Sequence, residues 1–188
     1  MKTIIVTGTP GTGKTALSKK LAKTLNLHYL DVNSIIKKYN LSEGYDRKRK
    51  TKIIDTKKLN SAIIREINNY NKNSNNINTS KKPAKNNKKI KTPSGIIIDS
   101  HLSHYLPEKY VDLCIVTKCT LKTLEKRLKK KKYGKNKVRE NLDAEIFDIC
   151  LNEAKENKHN LLIVDTTKGI NTSKISEKAG GLIGIRQS

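Results

Sequence analysis

Residues 8–15 read Gly-Thr-Pro-Gly-Thr-Gly-Lys-Thr, lodged between an apolar run, Thr3-Ile4-Ile5-Val6, and a helical pattern carried by Leu17, Leu21 and Leu25. The run reads as a buried strand and the octet fits Gly-x-x-x-x-Gly-Lys-Thr, so the order is strand, glycine turn, helix. Gly8, Gly11 and Gly13 let successive backbone N–H groups face a common centre without Cβ clashes. The N-terminus of the following helix adds positive potential there. Such a concavity holds phosphate. Lys14 is placed to reach β- and γ-phosphates, and the Thr15 hydroxyl to ligate Mg²⁺. The octet predicts a site for a nucleoside triphosphate.

The rest of the chain repeats the alternation. Apolar runs at 3–7, 27–30, 95–99, 111–117 and 161–165 read as strands. Helical patterns fall near 14–25, 31–39, 55–67, 120–131 and 139–158. Strands alternating with helices behind a phosphate loop predict an α/β fold of three layers, the P-loop NTPase type, with a parallel five-stranded sheet flanked by helices. In the helix at 139–158, Leu142, Ile146, Ile149 and Cys150 share a face, with Asp143, Glu145, Asp148 and Glu153 largely off it. Residues 68–95 stand apart: nine Asn, seven Lys and no acid. So polar a stretch cannot bury enough surface to offset its ordering entropy, and disorder is expected. A helix-to-strand connection lies at the amino edge of a parallel sheet, whereas ligands bind at the carboxyl edge, which places this insert away from the nucleotide. It reads either as an inert polar expansion or as an RNA-binding arm.

At 188 residues the chain suits a single domain. No apolar stretch approaches the ~18 residues of a membrane span. A strand beginning at residue 3 leaves no room for a signal peptide. Cys114, Cys119 and Cys150 lack paired metal-ligand spacing, so a reduced, cytoplasmic protein is the simplest expectation. Forty Lys plus Arg against 17 Asp plus Glu give a net charge of +23. A field of that size attracts RNA or other polyanions. Yet Lys, Asn and Ile are enriched together while Arg is scarce, the bias an AT-rich genome produces without selection for binding. Both readings stand.

Two further constellations carry chemistry. Asp99 ends the apolar strand Gly95-Ile96-Ile97-Ile98 and is followed by Ser100-His101. An acid there lies beside the phosphate loop and can hold Mg²⁺ through water; a strand-end Asp capping a turn is the plainer reading. His101 titrates near neutrality and could position water or a hydroxyl. His28, His104 and His159 read as ordinary surface or core histidines. The run 126–139, Lys-Arg-Leu-Lys-Lys-Lys-Lys-Tyr-Gly-Lys-Asn-Lys-Val-Arg, lacks acids and contains Gly134. Basic residues on a movable segment suit phosphoryl transfer, which needs charge neutralised away from water. A solvated helix end and a general RNA patch are the alternatives. The last residues, Gly180–Ser188, read as a flexible end.

Taken together these motifs resemble the adenylate kinase isoenzyme 6 family, small nuclear and archaeal adenylate kinases that also assist ribosome maturation. Gly8–Thr15 resembles the family's P-loop, and Gly44-Tyr45-Asp46 a motif of its NMP-binding region. Ile98-Asp99-Ser100-His101 with Leu106-Pro107-Glu108 is similar to its Walker B segment and Asp-x-His signature. Tyr133 through Phe147 resembles its short lid and the helix after it, and Val164-Asp165-Thr166-Thr167-Lys168 its adenine-side loop. The likeness spans nearly the whole chain except 68–95 and the last dozen residues. It implies an NMP-kinase-type fold with an NMP-binding arm at about 31–54 and a lid at about 130–140. It also implies reversible transfer of phosphate from ATP to AMP with Mg²⁺, an accompanying ATPase, and transient association with a small-subunit platform ribosomal protein, with possible rRNA contact. An ATP-driven assembly factor, with the kinase activity incidental, is the alternative the family allows. Nucleotide contacts would fall on Gly11, Gly13, Lys14, Thr15 and Ala16, with Lys168 near the base. Asp99 would support the metal, His101 would act beside it, and Arg127, Lys131 and Arg139 would close on the transferring phosphoryl. This chain departs from the family at Ala16, usually Ser or Thr, at Lys131-Lys132-Tyr133, usually Arg-Gly-Tyr, and at Lys37, usually Arg. Lys keeps the charge but loses the bidentate fork, which weakens clamping more than binding.

Overall fold

A computed structural model of the chain describes residues 1–47, 51–79 and 93–184. The chain runs β1 (Lys2–Thr7), α1 (Lys14–Thr24), β2 (Leu27–Asp31), α2 (Val32–Lys38), β3 (Ser42–Asp46), β4 (Thr51–Ile54) and α3 (Thr56–Thr79). It continues through β5 (Gly95–Asp99), two 3-10 turns, β6 (Leu113–Lys118), α4 (Leu121–Lys130), α5 (Lys135–Ile146), α6 (Ile149–Glu156), β7 (Leu161–Asp165) and α7 (Thr172–Ile183). Five strands form one parallel sheet in the order β2-β5-β1-β6-β7. β1 is central, so the loop that leaves it opens in the middle of the carboxyl edge.

Both faces of the sheet are covered, which is why its strands are near-continuous apolar runs. Side chains alternate between the faces with the period of two that a strand imposes. Ile96 and Ile98 pack with α2, α3 and α6 through Ile35, Leu59, Ile63 and Leu151. Ile97 points the other way, to Leu17 and Leu21 of α1 and Ala179 and Ile183 of α7. A smaller cluster, Leu124, Leu128, Val138 and Cys119, joins α4 to α5.

Four features differ from the sequence reading. The β3–β4 antiparallel hairpin was hidden because its short strands are mostly polar or exposed. Asn68–Thr79, expected to lack structure, continues α3; the remainder of that insert up to Thr92 lies outside the described residues. Extending a packed helix fixes one residue per added hydrogen bond, and Tyr70 stacks on His28 with ring centroids 4.6 Å apart. The helix expected at 139–158 breaks at Phe147–Asp148, where Asp148 adopts φ 53°, so its apolar stripe changes phase. Ile146 and Ile149 are exposed, and Val138, Asn141, Glu145, Leu151 and Ala154 are the buried positions. Gly180 belongs to α7, inside its buried face, rather than to a loose end. Among the described residues, no helix is long and apolar enough to cross a membrane.

Ile97 is fully buried between β1 and β2, so Ile97→Ala removes packing on the α1–α7 face. It should cost about 2–5 kcal/mol in urea unfolding, without change in the m-value.

Candidate nucleotide cleft

The chain leaves β1 at Thr7 and turns at Gly8 with φ 134°; a Cβ there would sit 2.4 Å from the Thr117 carbonyl of β6. Glycine is therefore required by both backbone and neighbour. Gly13 caps α1 at φ 98°. Between them the loop is pinned from several sides. Thr12 Oγ1 lies 2.7 Å from Thr117 Oγ1 and donates to the Thr9 carbonyl at 2.8 Å. Thr166, just past β7, donates its hydroxyl to the Thr12 carbonyl at 2.5 Å. Thr9 donates to the buried Glu145 carboxylate at 2.6 Å.

Lys14 folds back over this loop and donates to the Gly8 carbonyl at 2.7 Å and the Thr9 carbonyl at 3.1 Å. Burial pulls its pKa down to about 8, against the attraction of nearby Asp99 and Glu145. The ammonium sits where two cavities meet. A cleft of about 1070 Å³ is lined by Gly11, Gly13, Lys14, Thr15, Ala16 and His101 with the cations Arg127, Lys130, Lys131 and Lys137. A second, of about 760 Å³, lies between Lys14, Thr15, Asp99 and His101 on one side and α2 and the β3–β4 hairpin on the other, through Asn33, Lys37, Tyr45 and Thr51. Asp99, almost fully buried, accepts from the Tyr29 hydroxyl at 3.0 Å. Burial first, and Asp99 second, push the Tyr29 phenol well above its ordinary value, so it remains a donor. His101 touches water at the rim of both cavities, yet the surrounding protein, then Lys14, lower its pKa to about 4. It is a neutral imidazole at physiological pH.

The sequence candidates divide in space. Gly11, Gly13, Lys14, Thr15, Ala16, His101, Arg127 and Lys131 share the larger cavity, and Asp99 joins Lys14, Thr15 and His101 in the second. Arg127 is engaged with Thr166, donating to its hydroxyl at 3.0 Å and its carbonyl at 2.7 Å. Arg139 is exposed and paired along α5 with Asp143 at 3.1 Å, outside the cleft lining. Lys168 is exposed in the turn after β7. His104 is a buried core histidine, its Nδ1 2.7 Å from Thr7 Oγ1 and its Nε2 2.8 Å from Glu153. Glu145 and Tyr29 were missed. Helical phase put Glu145 on the solvent side, and Tyr29 offered no motif.

A phosphate-loop sheet with a basic cleft and a second pocket across its lysine defines a P-loop fold of the kinase type. The family model described as an AAA domain matches residues 4–148. A protein of Methanocaldococcus jannaschii provisionally named adenylate kinase is 36% identical over 164 residues, 87% of this chain and 76% of that protein. An adenylate kinase isoenzyme 6 homolog of Schizosaccharomyces pombe is 30% identical over 162 residues, 86% of this chain and 79% of its own length. The chain belongs to this P-loop family and, within it, to the adenylate kinase isoenzyme 6 family. Among solved structures, a sugar kinase from Janibacter matches 98% of this chain and 95% of its own with a TM-score of 0.58 at 14% identity. Shikimate kinase from Acinetobacter baumannii matches 97% and 93% with a TM-score of 0.54, also at 14% identity. At such identity these two speak for the fold alone.

The lowered Lys14 pKa has a testable sign. Between pH of about 8 and 10.5 the folded chain releases this proton while the unfolded chain still holds it. Stability contributed at this position therefore rises with pH across that window, the burial penalty being fully present below it. Lys14→Met should raise the melting temperature at pH 7, and its advantage over the natural chain should shrink as pH rises from 8 to 10.

Proposed function

We propose that this protein is an adenylate kinase, transferring phosphate reversibly between ATP and AMP. The observation that carries the reading is the pair of cavities meeting at Lys14, Thr15 and His101. A donor triphosphate seated on Gly8–Thr15 would present its terminal phosphate at that junction. An acceptor monophosphate would occupy the cavity walled by α2 and the β3–β4 hairpin, within the segment 31–54. The names carried by the relatives support AMP as acceptor and ATP as donor.

The chemistry asks for positioning and charge neutralisation more than covalent help. Lys14, drawn now to the Gly8 and Thr9 carbonyls, would exchange them for phosphate oxygens. Lys130, Lys131 and Lys137, with 130–140 acting as the lid, would surround the transferring group. Arg127 would contribute after giving up Thr166, and Arg139 after leaving Asp143. Neutral His101 can hold a hydroxyl or water by hydrogen bonding without adding a charge. The Thr15 hydroxyl and the Asp99 carboxylate line one cavity and form an all-oxygen donor set. Among the described residues no cluster of three or more His, Cys, Asp or Glu could cage a metal. That suits Mg²⁺, which keeps waters and phosphate oxygens and takes one or two protein ligands. When bound with ATP it would supply positive charge against the phosphates, held by Thr15 and Asp99.

Coupled detection of ADP from ATP plus AMP tests the reading. Lys14→Ala should reduce kcat by about 10²–10³-fold, the scale of losing one transition-state donor; retention of activity would remove the P-loop from the mechanism. A second reading, an ATP-driven factor in maturation of the small ribosomal subunit, is favoured by the +23 charge and by lysines where the family has arginines. It predicts phosphate release from ATP without AMP, stimulated by rRNA or a platform ribosomal protein. AMP-dependent ADP formation far exceeding that release would set it aside.

A further inference from the structure

We propose that Glu145 is a positioning residue for phosphoryl transfer, acting through the Thr9 hydroxyl to fix the P-loop and the resting place of Lys14. The proposal rests on the P-loop's role as the triphosphate site.

Glu145 lies near the end of α5, on the far side of the chain from the loop it touches. It is 7% exposed, and Thr9 is 1% exposed. A carboxylate so enclosed is costly unless its oxygens are satisfied. Here each oxygen has a donor: Oε2 receives the Thr9 hydroxyl at 2.6 Å and Oε1 the Cys119 N–H at 3.1 Å. The neighbouring cation, Lys118, pairs with Asp148 instead. The buried carboxyl group is thus held by two hydrogen bonds, one of them to the P-loop, with the Lys14 ammonium nearby. Removing the carboxylate would leave the Thr9 hydroxyl and the Cys119 N–H unpaired in a buried site, so this one side chain fixes the P-loop against the end of β6.

Thr9 is the residue through which such a pull reaches the chemistry. Its carbonyl accepts from the Thr12 N–H at 3.1 Å, the Thr12 hydroxyl at 2.8 Å and the Lys14 ammonium at 3.1 Å. Orienting the Thr9 side chain therefore orients the peptide that closes the turn and receives Lys14. The opposite half of α5 supplies Lys137, Glu140 and Asn141 to the larger cavity. One rigid helix then sets the spacing between the P-loop and these lid-side groups. In motif terms Thr9 is a freely variable position of Gly-x-x-x-x-Gly-Lys-Thr, so the octet alone assigns it nothing.

The test is a double-mutant cycle on the full chain, read by MgATP affinity from displacement of a fluorescent ATP analogue, with melting temperature recorded alongside. Glu145→Gln keeps an oxygen for the Cys119 N–H but turns an amide donor toward Thr9. Thr9→Val deletes the hydroxyl and Thr9→Ser retains it. Glu145→Gln and Thr9→Val should each weaken MgATP binding about tenfold, the worth of one charge-assisted hydrogen bond. Thr9→Ser should stay within about twofold, and the double variant should bind no worse than the weaker single. Losses that multiply in the double variant, or a fall in melting temperature with MgATP affinity unchanged, would overturn the proposal. If Glu145→Gln fails to fold, the Thr9 pair decides: natural affinity in Thr9→Val overturns it and recovery in Thr9→Ser upholds it. Affinity is measured without AMP, so an absence of AMP-dependent ADP formation would count against the kinase reading and leave this result intact.

Discussion

The contact between the turn at Gly8 and the end of β6 is the constraint on which the cleft depends. A strand that must turn sharply within van der Waals reach of a neighbouring carbonyl leaves no room for a side chain, and the loop that follows closes on itself where the Thr12 N–H donates to the Thr9 carbonyl. The hydroxyls of Thr12, Thr117 and Thr166 then knit the turn to the strand ends, Thr117 also donating to the Thr7 carbonyl of β1. These hydroxyls are buried and small, so they bind the strand ends together without filling the cavity. The sheet's hydrophobic faces hold the layers, and this polar seam holds the loop.

Electrostatics and packing pull against each other at the seam. Enclosing Lys14 costs stability, and the nearby carboxylates of Asp99 and Glu145 offset part of that cost. Farther out, Lys130, Lys131 and Lys137 line the larger cavity together with Glu140 and Glu153. Arg127, fixed on Thr166, links this basic wall to the same residue that anchors Thr12.

The sheet was legible because burial on two faces writes each strand as a run of Ile, Val and Leu, and the P-loop because its lysine and glycines have no other common use together. Asp99 and His101 followed from their place at a strand end. What escaped was what local pattern does not encode. The β3–β4 hairpin pairs Tyr45 with Lys52 and Asp46 with Thr51, and the break at Asp148 depends on a left-handed residue that an aspartate tolerates. Glu145 read as a surface acid because the buried face of α5 is itself partly polar, made of Val138, Asn141 and Glu145, while Ile146 is exposed. Arg139 and Lys168 entered through family likeness, and neither lines the cleft.

The connection from α3 back to β5 returns at the amino edge of the sheet, where the Ser94 N–H donates to the Asn26 carbonyl at 2.9 Å and its hydroxyl to that of Leu25 at 3.0 Å. Closing a longer loop between such fixed ends grows costly with the logarithm of its length, about 0.6 kcal/mol per doubling. The two margins of the sheet thus differ in tolerance: hydrogen bonds fix the entry into β5 at one, and a single methyl group is excluded at the other.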